Sequence, residues 1–213
     1  MRLDLVRPIV CLITTGEATD ANLADTTEKI LTIIRVAIDE KVSLLQIREK
    51  KLSAKSLFNL SEAAARLVKG SATRLLVNDR ADIALAAGAD GVHLATDSLS
   101  VAVIRKSFPP EFIIGVSTHS ISAAAEASRQ GADFALFGPV FETPGKGKPR
   151  GIDELRDVCE QLHPFTVVGL GGIDESNSDD VFAAGASGIA AIRSLNNAVS
   201  LRSIARRLLH DPS

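Results

Sequence analysis

The sequence predicts an α/β protein, a single-domain (β/α)8 TIM barrel over residues 1–213. Three observations carry that expectation. Eight short runs are apolar at consecutive positions, which is how parallel strands read when both faces are covered. A segment of helical character follows each run. The repeat is about 27 residues, close to one βα unit, and the length suits a single α/β barrel. A doubly wound sheet would want a glycine-rich turn after its first strand, and Thr14-Thr15-Gly16-Glu17 lacks the dinucleotide fingerprint.

The apolar runs are residues 9–14, 43–47, 75–78, 91–94, 112–116, 134–138, 165–170 and 188–192. Between them lie helical stripes. Leu57, Leu60, Ala64 and Leu67 make one apolar face, and Ile152, Leu155, Cys159 and Leu162 another. In the last helix Leu201, Ile204 and Leu208 are expected inside, with Arg202, Arg206 and Arg207 in water. Ser53 and Asp174 stand where helix N-caps belong. Three segments echo one another: Gly88-Ala89-Asp90, Gly131-Ala132-Asp133 and Gly185-Ala186-Ser187. In each, glycine is expected to end a helix in a left-handed cap just before a strand. No linker or second domain interrupts the pattern.

Composition excludes several functions. The formal charge is −2, so no basic stripe points to nucleic acid. Trp and Tyr are absent, so stacking on bases or sugars is not a theme. No apolar run approaches the roughly 20 residues that cross a bilayer. Residues 1–8 carry Arg2, Asp4 and Arg7 and do not read as a signal peptide. Cys11 and Cys159 sit among apolar residues and read as small buried hydrophobes, in keeping with a reducing cytoplasm.

In a barrel, chemistry collects at the carboxyl ends of the strands. The second strand ends in Gln46-Ile47-Arg48-Glu49-Lys50. Alternation puts Gln46, Arg48 and Lys50 on one side, an amide and two cations suited to phosphate; the plainer reading is a solvated charged loop. The third ends in Asn78-Asp79-Arg80, where Asp79 is either a Mg²⁺ ligand or a helix cap. After the fourth, Asp97 has the same two readings, and His93 reads either as a ligand or as a hydrogen-bonded interior histidine. Beyond the fifth come Ser117-Thr118-His119-Ser120, with His119 a candidate for proton transfer and Ser120 or Ser122 a cap. Residues 141–151, rich in Gly, Pro and Lys, read as a mobile loop able to close over an anion. Gly171-Gly172 after the seventh strand and Ile192-Arg193 after the eighth fall where barrels build phosphate sites. No Ser-His-Asp triad, Walker sequence or HExxH motif occurs.

With these residues placed, the chain resembles the thiamine phosphate synthase family, which shares its fold with the thiazole tautomerases. The resemblance runs over nearly the whole length. It is densest at Gln46-Ile47-Arg48-Glu49-Lys50, Val77-Asn78-Asp79-Arg80, Gly88-Ala89-Asp90-Gly91-Val92-His93-Leu94, Gly115-Val116-Ser117-Thr118-His119-Ser120, Phe137-Gly138-Pro139-Val140-Phe141 and Gly171-Gly172-Ile173. It implies a cytoplasmic transferase that joins a hydroxymethylpyrimidine diphosphate to a thiazole phosphate with Mg²⁺. Gln46, Arg48, Lys50, Asn78 and Ser117 would hold the pyrimidine diphosphate, and Lys146 would contact the pyrophosphate. Arg48, Lys50 and Lys146 would serve catalysis. Asp79 would bind Mg²⁺, with Asp97 as a second candidate. Thr143, Gly171, Gly172, Ile192 and Arg193 would surround the thiazole phosphate. The expected partners are these small molecules, with neither nucleic acid nor membrane, and a homo-oligomer is left open.

Three departures stand out. Ser98 takes the place of the family's second metal aspartate, and Asp97 comes one residue early. The Thr-x-Thr-Lys of the synthases is Thr143-Pro144-Gly145-Lys146, and Arg193 replaces a serine. The tautomerases also resemble the chain, at Ile47-Arg48-Glu49-Lys50 and 137–143, and rely on a histidine that matches His119. Gln46, Asn78 and Asp79 favour the synthase. A non-catalytic phosphate-binding or regulatory barrel is the alternative from another class.

Overall fold

A computed structural model describes residues 8–210, so the expectation about the first eight residues lies almost wholly outside the described residues. Eight parallel strands follow one another in the order of a closed barrel. They are β1 (Ile9–Ile13), β2 (Leu44–Ile47), β3 (Arg74–Asn78), β4 (Gly91–Leu94), β5 (Ile113–Thr118), β6 (Phe134–Phe137), β7 (Thr166–Leu170) and β8 (Gly188–Ala191). The helices are α1 (Leu23–Asp39), α2 (Ala54–Val68), α3 (Ala81–Ala86), α4 (Val101–Ser107), α5 (Ile121–Arg129), α6 (Gly151–Leu162), α7 (Ser178–Ala183) and α8 (Ala198–Ala205). A π-helical turn, Arg206–His210, follows α8. The chain forms two compact units, one of residues 10–92 and 192–210, the other of residues 8–9 and 93–191.

In the first unit β1, β2 and β3 are almost entirely buried, as continuous apolar runs require. Cys11 opposes Leu44, and Leu44 opposes Arg74 across the ladders. Along α2 the buried stripe is Leu57, Leu60, Ser61, Ala64 and Val68. Val68 takes the place expected of Leu67, because 11 residues complete three helical turns and bring Val68 back under Leu57. Ser53 caps α2 by accepting from the Ser56 amide.

The expectation that the last arginines face water holds for Arg206, which is exposed, and in part for Arg202, but both also have a buried partner. Arg202 and Arg206 both reach Glu40, at 2.9 and 3.0 Å, and the Glu40 side chain is only 7% exposed. A buried carboxylate demands such partners, and they come from an element 162 residues away that no helical wheel of α8 reveals.

The second unit holds His93 and Leu94 of β4 and all of β5 to β8, with β5–β6, β6–β7 and β7–β8 in continuous parallel register. Ser117 and Thr118 belong to β5 rather than to the loop beyond it. Ser120 caps α5 by accepting from the Ala123 amide. Asp174 does not cap α7: Asn177 holds that position, and Asp174 accepts from the Ser176 amide in a local turn.

The echoed motifs have a double purpose. Gly88, Gly131 and Gly185 all adopt positive φ. In each case the next residue's amide reaches back to the helix: Ala89 to Ala84, Ala132 to Ala127 and Ala186 to Val181. The aspartates then bind the foot of a neighbouring strand. Asp90 accepts from the Leu75 amide and Asp133 from the Ile114 amide, each at 2.8 Å. Arg74 and Arg105 pair with these carboxylates. Both cysteines are buried, and burial pushes the thiols up to about 12 at Cys11 and about 11 at Cys159. Among the described residues no helix is long and apolar enough to cross a membrane.

Candidate active site

Strand β2 stops at Ile47, so of the three residues expected on one side only Gln46 lies in the strand, and exposure among the three rises from Gln46 to Lys50. Gln46 is 1% exposed, Arg48 is half-buried and Lys50 is exposed. Gln46 Nε2 donates to Asn78 Oδ1 at 2.9 Å, and Asn78 Nδ2 donates to Asp79 Oδ2 at 2.6 Å. Lys50 Nζ lies 3.9 Å from the same carboxylate oxygen. Amide, amide, carboxylate and ammonium therefore form one chain along the ends of β2 and β3. Gln46 Oε1 is buried and accepts no hydrogen bond among the described residues. A buried acceptor without a donor is costly, and it marks a place where a ligand donor fits.

Asp79 has φ of 59°, a conformation that side chains other than Gly and Asn adopt at a cost. Asp79 is not the N-cap residue of α3. Arg80 is the N-cap of α3 and makes no side-chain cap, while Arg80 and Asp82 engage each other through two hydrogen bonds. The guanidinium holds the Asp82 carboxyl below its ordinary range.

Glu49, expected in a solvated loop, is 2% exposed. Its carboxylate accepts from the Gly16 and Ala18 amides at 3.0 and 2.8 Å, which fastens the loop after β1 to the end of β2. Thr14 Oγ1 accepts from the Arg48 amide at 2.8 Å, so the backbone bearing Arg48 is held on that side too. Ile192 is half-buried and Arg193 exposed in the turn after β8. Asn196, which sequence reasoning missed, donates to the carbonyls of Ile13 and Ile192 and holds that turn.

In the other unit, His93 is 2% exposed and its Nε2 lies 2.8 Å from Ser117 Oγ, as an interior hydrogen-bonded histidine should. It orients the serine, a role that β-strand alternation alone does not show. His119 Nδ1 engages the Gly138 carbonyl, and because a carbonyl can only accept, that nitrogen is the donor. Asp97 is exposed in a turn and does not cap α4, whose N-cap is Ser100.

The loop 141–151 is pinned at its base. Val140 and Phe141 amides donate to Leu170 and Gly171, and Arg150 and Gly151 amides donate to Pro139 and Val140. The tip, residues 144–148, is exposed and carries Lys146; Thr143 is half-buried. Gly171 and Gly172 have φ of 103° and 65°. A Cβ on Gly171 would lie 2.7 Å from Pro139 and 3.2 Å from Thr143 Oγ1; one on Gly172 would lie 2.6 Å from the Glu142 carbonyl. The glycine pair thus lets the two loops touch, and it brings Thr143 beside Gly171.

Among the described residues no three His, Cys, Asp or Glu side chains gather as a metal cage. Asp79 offers one carboxylate, 31% exposed, at the end of the polar chain.

Residues 10–195 match the family described as thiamine monophosphate synthase. A putative thiamine-phosphate synthase of Geobacter sulfurreducens is 45% identical over 84% of this chain and 85% of its own length. The thiamine-phosphate synthase of Chlorobium luteolum is 37% identical over 95% and 92%. Among solved structures, a thiamine phosphate pyrophosphorylase from Pyrococcus furiosus superposes with a TM-score of 0.77 at 29% identity, covering 95% of this chain and 97% of that one.

Proposed function

The chain belongs to the thiamine monophosphate synthase family, and from that premise we propose how its residues divide the work. It is a transferase of thiamine biosynthesis. The reaction joins 4-amino-2-methyl-5-hydroxymethylpyrimidine diphosphate to a thiazole phosphate and releases pyrophosphate.

The observation that carries the assignment of residues is the buried, unmatched Gln46 Oε1 at the head of the Gln46–Asn78–Asp79–Lys50 chain. An aminopyrimidine has an exocyclic amine that donates and ring nitrogens that accept. Gln46 and Asn78 suit that alternation, and their mutual hydrogen bond fixes both amide orientations. Ser117, oriented by His93, is a further polar contact for the ring. Arg48, Lys50 and Lys146 supply charge for the diphosphate. Thr143, Gly171, Gly172, Ile192 and Arg193 are assigned to the thiazole phosphate.

The C–O bond to the diphosphate breaks with its electron pair on pyrophosphate. The 4-amino group delocalises the positive charge left on the pyrimidine methylene. The thiazole nitrogen then forms the new C–N bond. Catalysis is positioning and electrostatic stabilisation of the leaving group, with no strong base required. Asp79 fits a Mg²⁺ ion, which takes few protein carboxylates and completes its shell with phosphate oxygens and water; Asp97 is the second candidate. When bound, that ion would neutralise charge on the leaving pyrophosphate.

The same reading treats residues 1–213 as one domain working in the cytoplasm on soluble small molecules, without nucleic acid or membrane. The test is an omission experiment. Pyrophosphate should appear only when both substrates and Mg²⁺ are present, and failure to appear with authentic substrates would refute the reading.

A further inference from the structure

A second cleft lies within residues 10–92, at the opposite end of β3 from Asn78. It has a volume of about 460 Å³ and is lined by the end of α2 with Lys69 and Gly70, by Thr73 and Arg74 at the start of β3, and by the turn that follows α3. Thr73 lines it, is 1% exposed, and its hydroxyl has no hydrogen-bond partner among the described residues. Rotation about the Thr73 Cα–Cβ bond exchanges hydroxyl and methyl, so this wall can present a donor. Burying a hydroxyl unpaired is unfavourable, and a ligand that accepts from it removes that cost.

Charge on the walls points to the class of ligand. Arg66 pairs with Glu62 at 3.0 Å and Arg74 with Asp90 at 3.4 Å, each through Nη1. Every guanidinium has five N–H donors, so both keep donors for a further acceptor. Lys69, also on the wall, is exposed and has no carboxylate partner among the described residues. Three cations face two carboxylates, and the excess is one positive charge. The volume exceeds that of a lone oxyanion, and Val68 and Ala87 add apolar wall beside the charged groups.

We propose that this cleft is a second binding site, for a small phosphorylated molecule whose phosphoryl group is held by Lys69, the free N–H groups of Arg66 and Arg74, and the Thr73 hydroxyl. The site is independent of the residues assigned to catalysis. None of its lining residues lies at the carboxyl end of a strand.

The experiment is amide NMR on the ¹⁵N-labelled full chain, titrated with inorganic phosphate against sodium chloride of equal ionic strength. Gly70 and Gly88, which border the cleft, should shift saturably with phosphate alone. In Lys69→Ala and in Thr73→Val the apparent affinity at these amides should fall by about fivefold or more, the scale of losing one charge-assisted or buried hydrogen bond. Shifts at Gly171 and Gly172 should be the same in both variants as in the parent chain. Lys69 is a surface residue and Thr73→Val keeps the side-chain shape, so either variant reports separately. The proposal is overturned if Gly70 and Gly88 do not shift, if they shift without saturating, or if both variants bind as the parent does.

Discussion

Gln46 Nε2 donates to Asn78 Oδ1 at 2.9 Å, with both side chains at least nine-tenths buried and each from the end of a neighbouring strand. This bond fixes which face of the Gln46 amide meets a ligand. Replacing either partner should therefore harm recognition of the pyrimidine more than the fold. Gln46→Ala and Asn78→Ala are each expected to lower kcat/KM for the pyrimidine diphosphate by about 10²-fold or more, a loss of about 3 kcal/mol of transition-state binding. Steady-state kinetics checks this, and KM for the thiazole phosphate should change by no more than about twofold.

Asp79 combines a positive φ with a carboxylate that accepts from Asn78 and faces Lys50. Asp79→Gly should relieve the positive φ while removing the carboxylate. Stability should hold or rise by about 0.5–1 kcal/mol, whereas turnover should fall by about 10²-fold or more. Urea midpoints and initial rates on the same preparation separate the two effects. A lower midpoint with unchanged turnover would contradict this account.

Gly172 admits no side chain, because its φ is 65° and a Cβ would lie 2.6 Å from the Glu142 carbonyl. Gly172→Ala is expected to destabilise the protein by about 1–3 kcal/mol and to push the loop bearing Thr143 and Lys146 outward. Thermal unfolding reads the first effect, and a raised KM for the thiazole phosphate the second.

Glu40 should make stability depend on acid. Hydrogen bonding from Arg206 and then Arg202 holds its carboxyl below the ordinary value, against the opposing effect of burial. A depressed carboxyl contributes stability that is full above the unfolded value and is lost as pH falls through the folded one. Glu40→Gln should thus cost about 1–2 kcal/mol at neutral pH, the modest size reflecting arginines that remain partly in water. The difference from the parent chain should shrink below about pH 4.5. Urea unfolding at several pH values gives the curve.

His119 tests the choice of chemistry. A synthase needs no proton shuttle at that position, so His119→Gln should retain turnover within about fivefold, short of the 10²-fold or more that a general acid–base contributes. A tautomerase built on His119 would lose its activity.

What the sequence made legible follows from local rules. Consecutive apolar runs report burial on both faces, and each echoed glycine reports a left-handed helix end. The comparisons support the synthase reading that the resemblance implied. What stayed hidden depends on partners distant in sequence. Glu49 looks like one more charge in a charged stretch until the Ala18 amide, 31 residues earlier, is placed beside it. Arg202 looks solvated until Glu40 arrives. Likewise, residues 141–151 read as mobile because Gly, Pro and Lys are abundant there, yet the hydrogen bonds to Leu170 and Gly171 that hold their base are invisible in composition. Asp90 and Asp133 escaped notice for the same reason, since an aspartate before a strand does not announce which amide it binds.

The central claim is that this chain makes a carbon–nitrogen bond at the expense of a diphosphate. Its most direct measurement is the stoichiometry of products when both substrates and Mg²⁺ are supplied, with thiamine phosphate and pyrophosphate quantified in the same reaction. The account predicts one of each per turnover. Pyrophosphate without thiamine phosphate, or neither product, would contradict it.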